Sequence, residues 1–163
     1  MPGWFDLYDW PIGVGSKRDP KGLEEAVKAV EACVKNLKET KGIEKDRIVI
    51  GGFSQGGAIA LQSVYSTMAQ KGEESGSYAA CVSLSGWVNF DEGNDWGKDT
   101  PLFWGHGQYD DKVLFEQQEF GVRTLEGMGV SNVESKSYPI AHSSHPEELK
   151  AFAAFLDKVL FKE

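Results

Sequence analysis

Residue types that together can cleave an acyl bond occur along this chain in a workable order: a serine among glycines in Gly52-Phe53-Ser54-Gln55-Gly56, then the carboxylates Asp110 and Asp111, then His142. A serine hydroxyl is a poor nucleophile until an imidazole takes its proton and a carboxylate orients that imidazole. The serine alone decides little. With 19 glycines and 13 serines in 163 residues, a shuffled chain would contain Gly-x-Ser-x-Gly roughly one time in six.

Its surroundings carry more weight. A nucleophile elbow needs a buried strand that turns sharply into a helix and lifts the hydroxyl clear of the sheet. Arg47 to Phe53 reads as a short strand rich in Ile and Val, and Gln55 to about Gln70 as a helix whose small early residues permit close packing. The competing reading is a plain helix N-cap, a frequent task for serine. A cap does not require glycines at both −2 and +2.

The same alternation runs through the chain. Asp19-Pro20 followed by Leu23, Ala26, Val27, Val30, Val34 and Leu37 predicts a helix that stops near Gly42. Tyr78 to Leu84 and Pro101 to Trp104 read as strands, the second running into Gly105-His106-Gly107. A helix is expected from about Val113 to Gly127, a strand from Val133 to Tyr138 and a helix from Pro146 to Leu160. Apolar strands alternating with amphipathic helices predict an α/β fold, a three-layer sandwich with a mainly parallel sheet, formed as a single domain over residues 1–163. The polar loop from Asn89 to Thr100 is expected to be a surface excursion beside the site.

Parallel sheets build their sites at the carboxyl ends of strands. Ser54, the Asp110-Asp111 pair and His142 all fall there, in the Ser, Asp, His order of hydrolase sheets. His106 precedes the acids in its own loop and His145 precedes Pro146 at a helix start, so His142 is assigned as the general base. Asp110 and Asp111 compete for the orienting role, because neighbouring side chains in an extended loop point apart and only one can face the imidazole. The backbone N–H of Gln55, at a helix start, is expected to donate to the oxyanion. A second donor ordinarily comes from a glycine-rich loop after an early strand. No such sequence precedes Ile48.

Composition narrows the classes. The hydrophobic share of 40% and aromatic share of 12% suffice for a core. A net charge of −8 and a pI near 4.9, with no cluster of Lys and Arg, speak against nucleic acid as a partner and against electrostatic attachment to anionic lipid. Cys33 and Cys81 read as reduced core residues in a cytoplasmic setting, and no metal site or cofactor is expected from them. The N-terminal MPGWFDLYDW lacks the basic and apolar regions of a signal peptide.

Trp4-Phe5-Asp6, the run GGFSQGGA from Gly51 to Ala58, Leu84-Ser85-Gly86, His106-Gly107 with Asp110, and His142-Ser143-Ser144 together resemble the acyl-protein thioesterase family, in the phospholipase/carboxylesterase branch of the α/β hydrolases. The resemblance covers nearly the whole chain. It implies Ser54, Asp110 and His142 as catalytic residues, with Asp110 preferred over Asp111 by the family's H-G-x-x-D pattern. It also implies hydrolysis of the thioester between palmitate and protein cysteines, and of carboxylesters and lysophospholipids. Asp111 stands where the family usually has proline, which makes the acid loop more polar.

The family's first strands and its H-G-x-G-D oxyanion loop lie upstream of the Trp-Phe-Asp segment, and Met1 aligns with an interior position. An N-terminally shortened hydrolase fold is therefore expected, with Ile48 to Ile50 as an open sheet edge unless a second copy or the Trp4 to Val14 stretch covers it. Trp4, Phe5, Trp10 and Ile12 could line an acyl-binding lip and Trp87 could touch the acyl chain; core aromatics at element ends are the competing reading. The expected function is a serine hydrolase of long-chain acyl thioesters or esters, acting on an acyl lipid or S-acylated protein with at most transient membrane contact. The alternative is a catalytically weak relative that keeps a lipid-binding or interaction role. A dienelactone-type hydrolase would want cysteine in place of Ser54.

Overall fold

The computed structural model describes residues 3–69 and 77–161. Asp19 opens the first helix, α1 (Pro20–Lys41): its carboxylate accepts from the Gly22 N–H at 3.0 Å and proline occupies the first turn. Gly42, at φ 65°, closes that helix in the left-handed conformation, with Lys38 and Lys41 at its negative end. A short 3-10 turn, Lys45–Arg47, leads into β1 (Val49–Phe53) and then α2 (Gln55–Tyr65). There follow β2 (Ala80–Leu84), β3 (Leu102–Gly107), α3 (Glu116–Gly127), β4 (Val133–Tyr138) and α4 (Pro146–Leu160).

The four strands form one parallel sheet in the order β1-β2-β3-β4, with Val49 opposite Ala80, Cys81 opposite Leu102 and Leu102 opposite Val133. Side chains alternate between its faces. Ile48, Ile50, Cys81, Leu102 and Trp104 pack against Leu61, Val64 and Tyr65 of α2, Val34 of α1 and Leu125 of α3. Val49, Val82 and Phe103 point the other way, onto Phe152, Phe155 and Leu156 of α4. The expected three-layer sandwich is what forms. Because all strands run the same way, the residues following β1, β3 and β4 gather at one end.

Residues 3–19 pair along no sheet strand. They form a strap across that end: the Ile12 N–H donates to Lys112 O at 2.8 Å and the Leu114 N–H to Ile12 O at 2.9 Å. Along the chain, the Asp6 N–H donates to the same Asp19 carboxylate that caps α1, at 2.9 Å. The strap therefore leaves β1 with β2 as its one partner among the described residues, and Phe53 remains 44% exposed.

Several expectations need correction. The second helix ends at Tyr65, short of Gln70, which lies outside the described residues, as does Met1. The third begins at Glu116, because Val113 and Leu114 are occupied with the strap. The third strand runs on through His106 to Gly107. The 89–100 loop does not lie beside the site. Asn94 donates its amide to Val64 O and Ser66 O at 2.9 and 2.8 Å, so the loop closes the far end of α2 and buries Phe90 and Thr100. Its polar residues satisfy helix-end carbonyls. Cys81 is buried, which pushes its thiol far up, whereas Cys33 is exposed on α1 and is not a core residue. Among the described residues no helix is long and apolar enough to cross a membrane.

Candidate active site

Ser54 occupies the junction between β1 and α2 with φ 57° and ψ −119°, a left-handed backbone that non-glycine residues adopt rarely. Two features hold it there. Its N–H donates to Leu84 O at 2.8 Å, and Gly52 lets the first turn of α2 press onto β1. A Cβ on Gly52 would lie 2.7 Å from Gly56 Cα and overlap its carbonyl. The hydroxyl makes no capping bond to the helix, so the N-cap reading of Ser54 fails. It meets His142 Nε2 at 2.9 Å.

His142 stands in the loop between β4 and α4. Its Nδ1 lies 2.8 Å from Asp110 Oδ2. A carboxylate can only accept, so Nδ1 carries the proton and Nε2 presents its lone pair to the serine hydroxyl. Asp110 Oδ1 is fixed by the backbone N–H groups of Lys112 and Val113, each at 2.9 Å. The Phe53 ring packs against the imidazole, centroids 4.9 Å apart.

The rival residues are placed elsewhere. The Asp111 side chain is exposed beside Lys112. The His145 ring caps α4, accepting from the Glu147 N–H at 3.0 Å. His106 is fully buried beneath the acid loop: Trp104 Nε1 donates to its Nδ1 at 3.3 Å, so its Nε2–H points at Val113 O, 2.9 Å away. Burial pushes the His106 imidazole below its ordinary value, against the smaller raising effects of its bond to Val113 and of Asp110.

Ser54 opens onto a concave pocket of about 750 Å³ lined by Trp4, Phe5, Leu7, Trp10, Ile59 and Trp87. Trp87 is 5% exposed in an apolar cluster with Phe5, ring centroids 5.8 Å apart, and it also lines the pocket. Ile12 belongs to that cluster and not to the pocket wall. Gln55 follows Ser54 as the first residue of α2, where backbone N–H groups have no intrahelical acceptor and are available to an anion. Sequence reasoning missed its side chain, which accepts from the Trp4 N–H at 3.1 Å and donates to Phe5 O at 3.0 Å. The pocket wall is thereby tied to the residue beside the nucleophile candidate. No local pattern marks such a bond between residues 51 apart.

The family model for phospholipase/carboxylesterase matches residues 1–160. Acyl-protein thioesterase 1 of Debaryomyces hansenii is 35% identical over 99% of this chain and 69% of its own length. A probable carboxylesterase of Arabidopsis thaliana, SOBER1-like, is 36% identical over 96% of this chain and 58% of its own. The crystal structure of Arabidopsis thaliana SOBER1 superposes with a TM-score of 0.85 at 34% identity, covering 98% of this chain and 75% of that one. The chain thus spans between 58% and 69% of these curated relatives, and across that span it shares their α/β hydrolase architecture: it belongs to the phospholipase/carboxylesterase family.

Proposed function

We propose that the protein is a serine hydrolase of acyl thioesters and carboxylesters, with Ser54 as nucleophile, His142 as general base and then acid, and Asp110 as the carboxylate that orients it. The observation that carries this reading is the unbroken chain Ser54 Oγ, His142 Nε2, His142 Nδ1, Asp110 Oδ2, with links of 2.9 and 2.8 Å, at the rim of an apolar pocket. The names of the relatives, acyl-protein thioesterase and carboxylesterase, support the substrate class.

In the acylation step Ser54 Oγ bonds to the acyl carbonyl carbon as its proton passes to His142 Nε2. The oxyanion faces the first turn of α2, where the Gln55 N–H and the helix dipole stabilise it. Collapse breaks the carbonyl carbon bond to sulfur or oxygen, and His142 returns the proton to the departing thiol or alcohol. Water, deprotonated by His142, then attacks the acyl-serine carbonyl; the bond from that carbon to Ser54 Oγ breaks, His142 returns the proton to Oγ, and the free acid leaves. The apolar lining suits a fatty acyl chain, with Trp4, Phe5 and Trp87 against the methylenes.

A second reading, weak turnover with a retained lipid-binding pocket, is favoured by one observation. The pocket wall is held by the Gln55 side chain on Trp4 and Phe5 and by the backbone pairing of Ile12 with Lys112 and Leu114, none of which uses the Ser54 hydroxyl, so the pocket does not depend on turnover for its shape. Fluorophosphonate labelling of the purified chain, read by intact mass beside Ser54→Ala and His142→Ala and accompanied by turnover of a medium-chain thioester, separates the two. Labelling abolished in both variants, with measurable turnover, is the expected result. A folded chain that neither labels nor turns over overturns the hydrolase reading.

A further inference from the structure

Strand β3, which leads to Asp110, carries Gly105 and Gly107 on one face, and neither has room for a side chain. A Cβ at Gly107 would overlap the carbonyl oxygens of Ile140 and Ala141. One at Gly105 would overlap the carboxyl of Glu148, lying 2.9 Å from its Cδ and 3.0 Å from its Cγ. The segment 140–148, which carries His142, thus rests directly on the strand that carries its partner acid.

The side chain filling the seat at Gly105 is an unexpected one. Glu148 is 0% exposed, and neither of its carboxyl oxygens has a hydrogen-bond partner among the described residues. It follows the α4 cap His145 by three residues, the position from which a glutamate reaches back toward the backbone N–H of the cap. Burial drives the carboxyl above its ordinary value, only partly countered by that His145 N–H. The neighbouring Tyr138 hydroxyl is also buried and unpartnered, and the Tyr138 ring stacks on His145 with centroids 5.7 Å apart. A buried carboxyl toward which only the His145 N–H is turned is costly, and an apolar side chain of similar volume would pack there at less cost. Packing alone therefore does not account for a glutamate at this place.

We propose that Glu148 is a positioning residue for the reaction: seated on Gly105, it sets the height of the 140–148 segment on β3 and so holds His142 Nδ1 within reach of Asp110. It touches neither Ser54 nor the pocket and acts through His142. The inference rests on the hydrolase reading for its functional meaning, but its geometric content is measurable without turnover.

The experiment compares the full chain with Glu148→Ala, Glu148→Gln and Gly105→Ala, each checked for folding by circular dichroism. The first readout is the far-downfield proton resonance of an imidazole N–H bonded to a carboxylate, assigned by its loss in His142→Ala. The second is the division of any rate loss between kcat and KM for a short acyl ester. Folded Glu148→Ala and Gly105→Ala are expected to lose or broaden the resonance and to lose about tenfold to a hundredfold in kcat, with KM changed by less than about threefold. Glu148→Gln, which fills the same seat, is expected to keep the resonance and most of kcat. A folded Glu148→Ala with the wild-type resonance and kcat overturns the proposal. If Glu148→Ala does not fold, a wild-type resonance in Gly105→Ala overturns it instead. A wild-type chain that shows the resonance without turnover would count against the hydrolase reading while leaving the positioning role open to the first readout.

Discussion

His106 Nε2 lies 3.5 Å from Asp110 Oδ2, the same oxygen that meets His142 Nδ1 at 2.8 Å. One carboxylate thus faces two imidazoles, one buried and one at the pocket rim. The buried ring bears on stability, and the rim ring is the base of the proposed mechanism.

Because burial holds the His106 imidazole below its ordinary value of 6.5, the unfolded chain takes up a proton near that pH which the folded chain resists. More protons bound by the unfolded state mean stability that rises with pH. Urea unfolding is therefore expected to show stability falling as pH drops below 6.5 toward the depressed folded value, with a shallower slope in His106→Gln. Equal slopes in the two proteins would contradict this.

Asp110→Asn can keep accepting the Lys112 and Val113 N–H groups through its amide oxygen, so the acid loop should hold its shape. The amide nitrogen would then face His142 Nδ1 and select the tautomer with a proton toward Ser54. A fall in kcat of about a thousandfold or more is expected, with the melting temperature little changed. Asp111→Asn, at an exposed side chain, should stay within about twofold of wild type. Steady-state kinetics of both variants tests the choice between the adjacent acids.

Gln55→Ala frees the Trp4 N–H and Phe5 carbonyl from their side-chain partner while leaving the backbone N–H of residue 55 in place. The expected stability loss is about 1 kcal/mol. Loosening of Trp4 and Phe5 should reduce kcat/KM for long acyl chains several-fold more than for acetyl esters. Equal losses for long and short chains would mean that these aromatics do not contact the acyl group.

The two glycines flanking Phe53-Ser54-Gln55 are not equivalent. A methyl on Gly52 meets the backbone of Gly56, whereas a methyl on Gly56 meets nothing within 4 Å. Gly52→Ala should displace the elbow and abolish phosphonate labelling, and Gly56→Ala should still label. Loss of labelling in Gly56→Ala alone would contradict this account.

The elements that place the site were legible because they are written locally. Asp19-Pro20 and Gly42 delimit α1, and the Ile and Val run before Ser54 marks β1. The order of Ser54, Asp110 and His142 needs only the knowledge that parallel strands present their carboxyl ends together. What escaped depends on long-range pairing. Asn94 reads as a solvated loop residue until its amide is seen on the carbonyls of Val64 and Ser66. Cys33 lies among apolar residues in sequence, yet helical geometry turns it outward while Val34 beside it faces the core. The acidic Glu148, in the first turn of a helix, reads as a surface charge favoured by the helix dipole. Its burial follows from a glycine 43 residues earlier, at Gly105.

The strap of residues 3–19 reaches its anchors over long stretches of chain: Trp4 to Gln55 spans 51 residues and Val14 to Glu116 spans 102, the latter a 3.2 Å bond from the Val14 N–H. Contacts so distant in sequence close large loops, and the entropy of closure is recovered only once both anchor points exist. The elbow and the acid loop must therefore be in place before the strap can be. The strap, which pairs with no strand of the sheet, is therefore a segment that can open by itself, widening access to Ser54 while the sheet beneath stays whole.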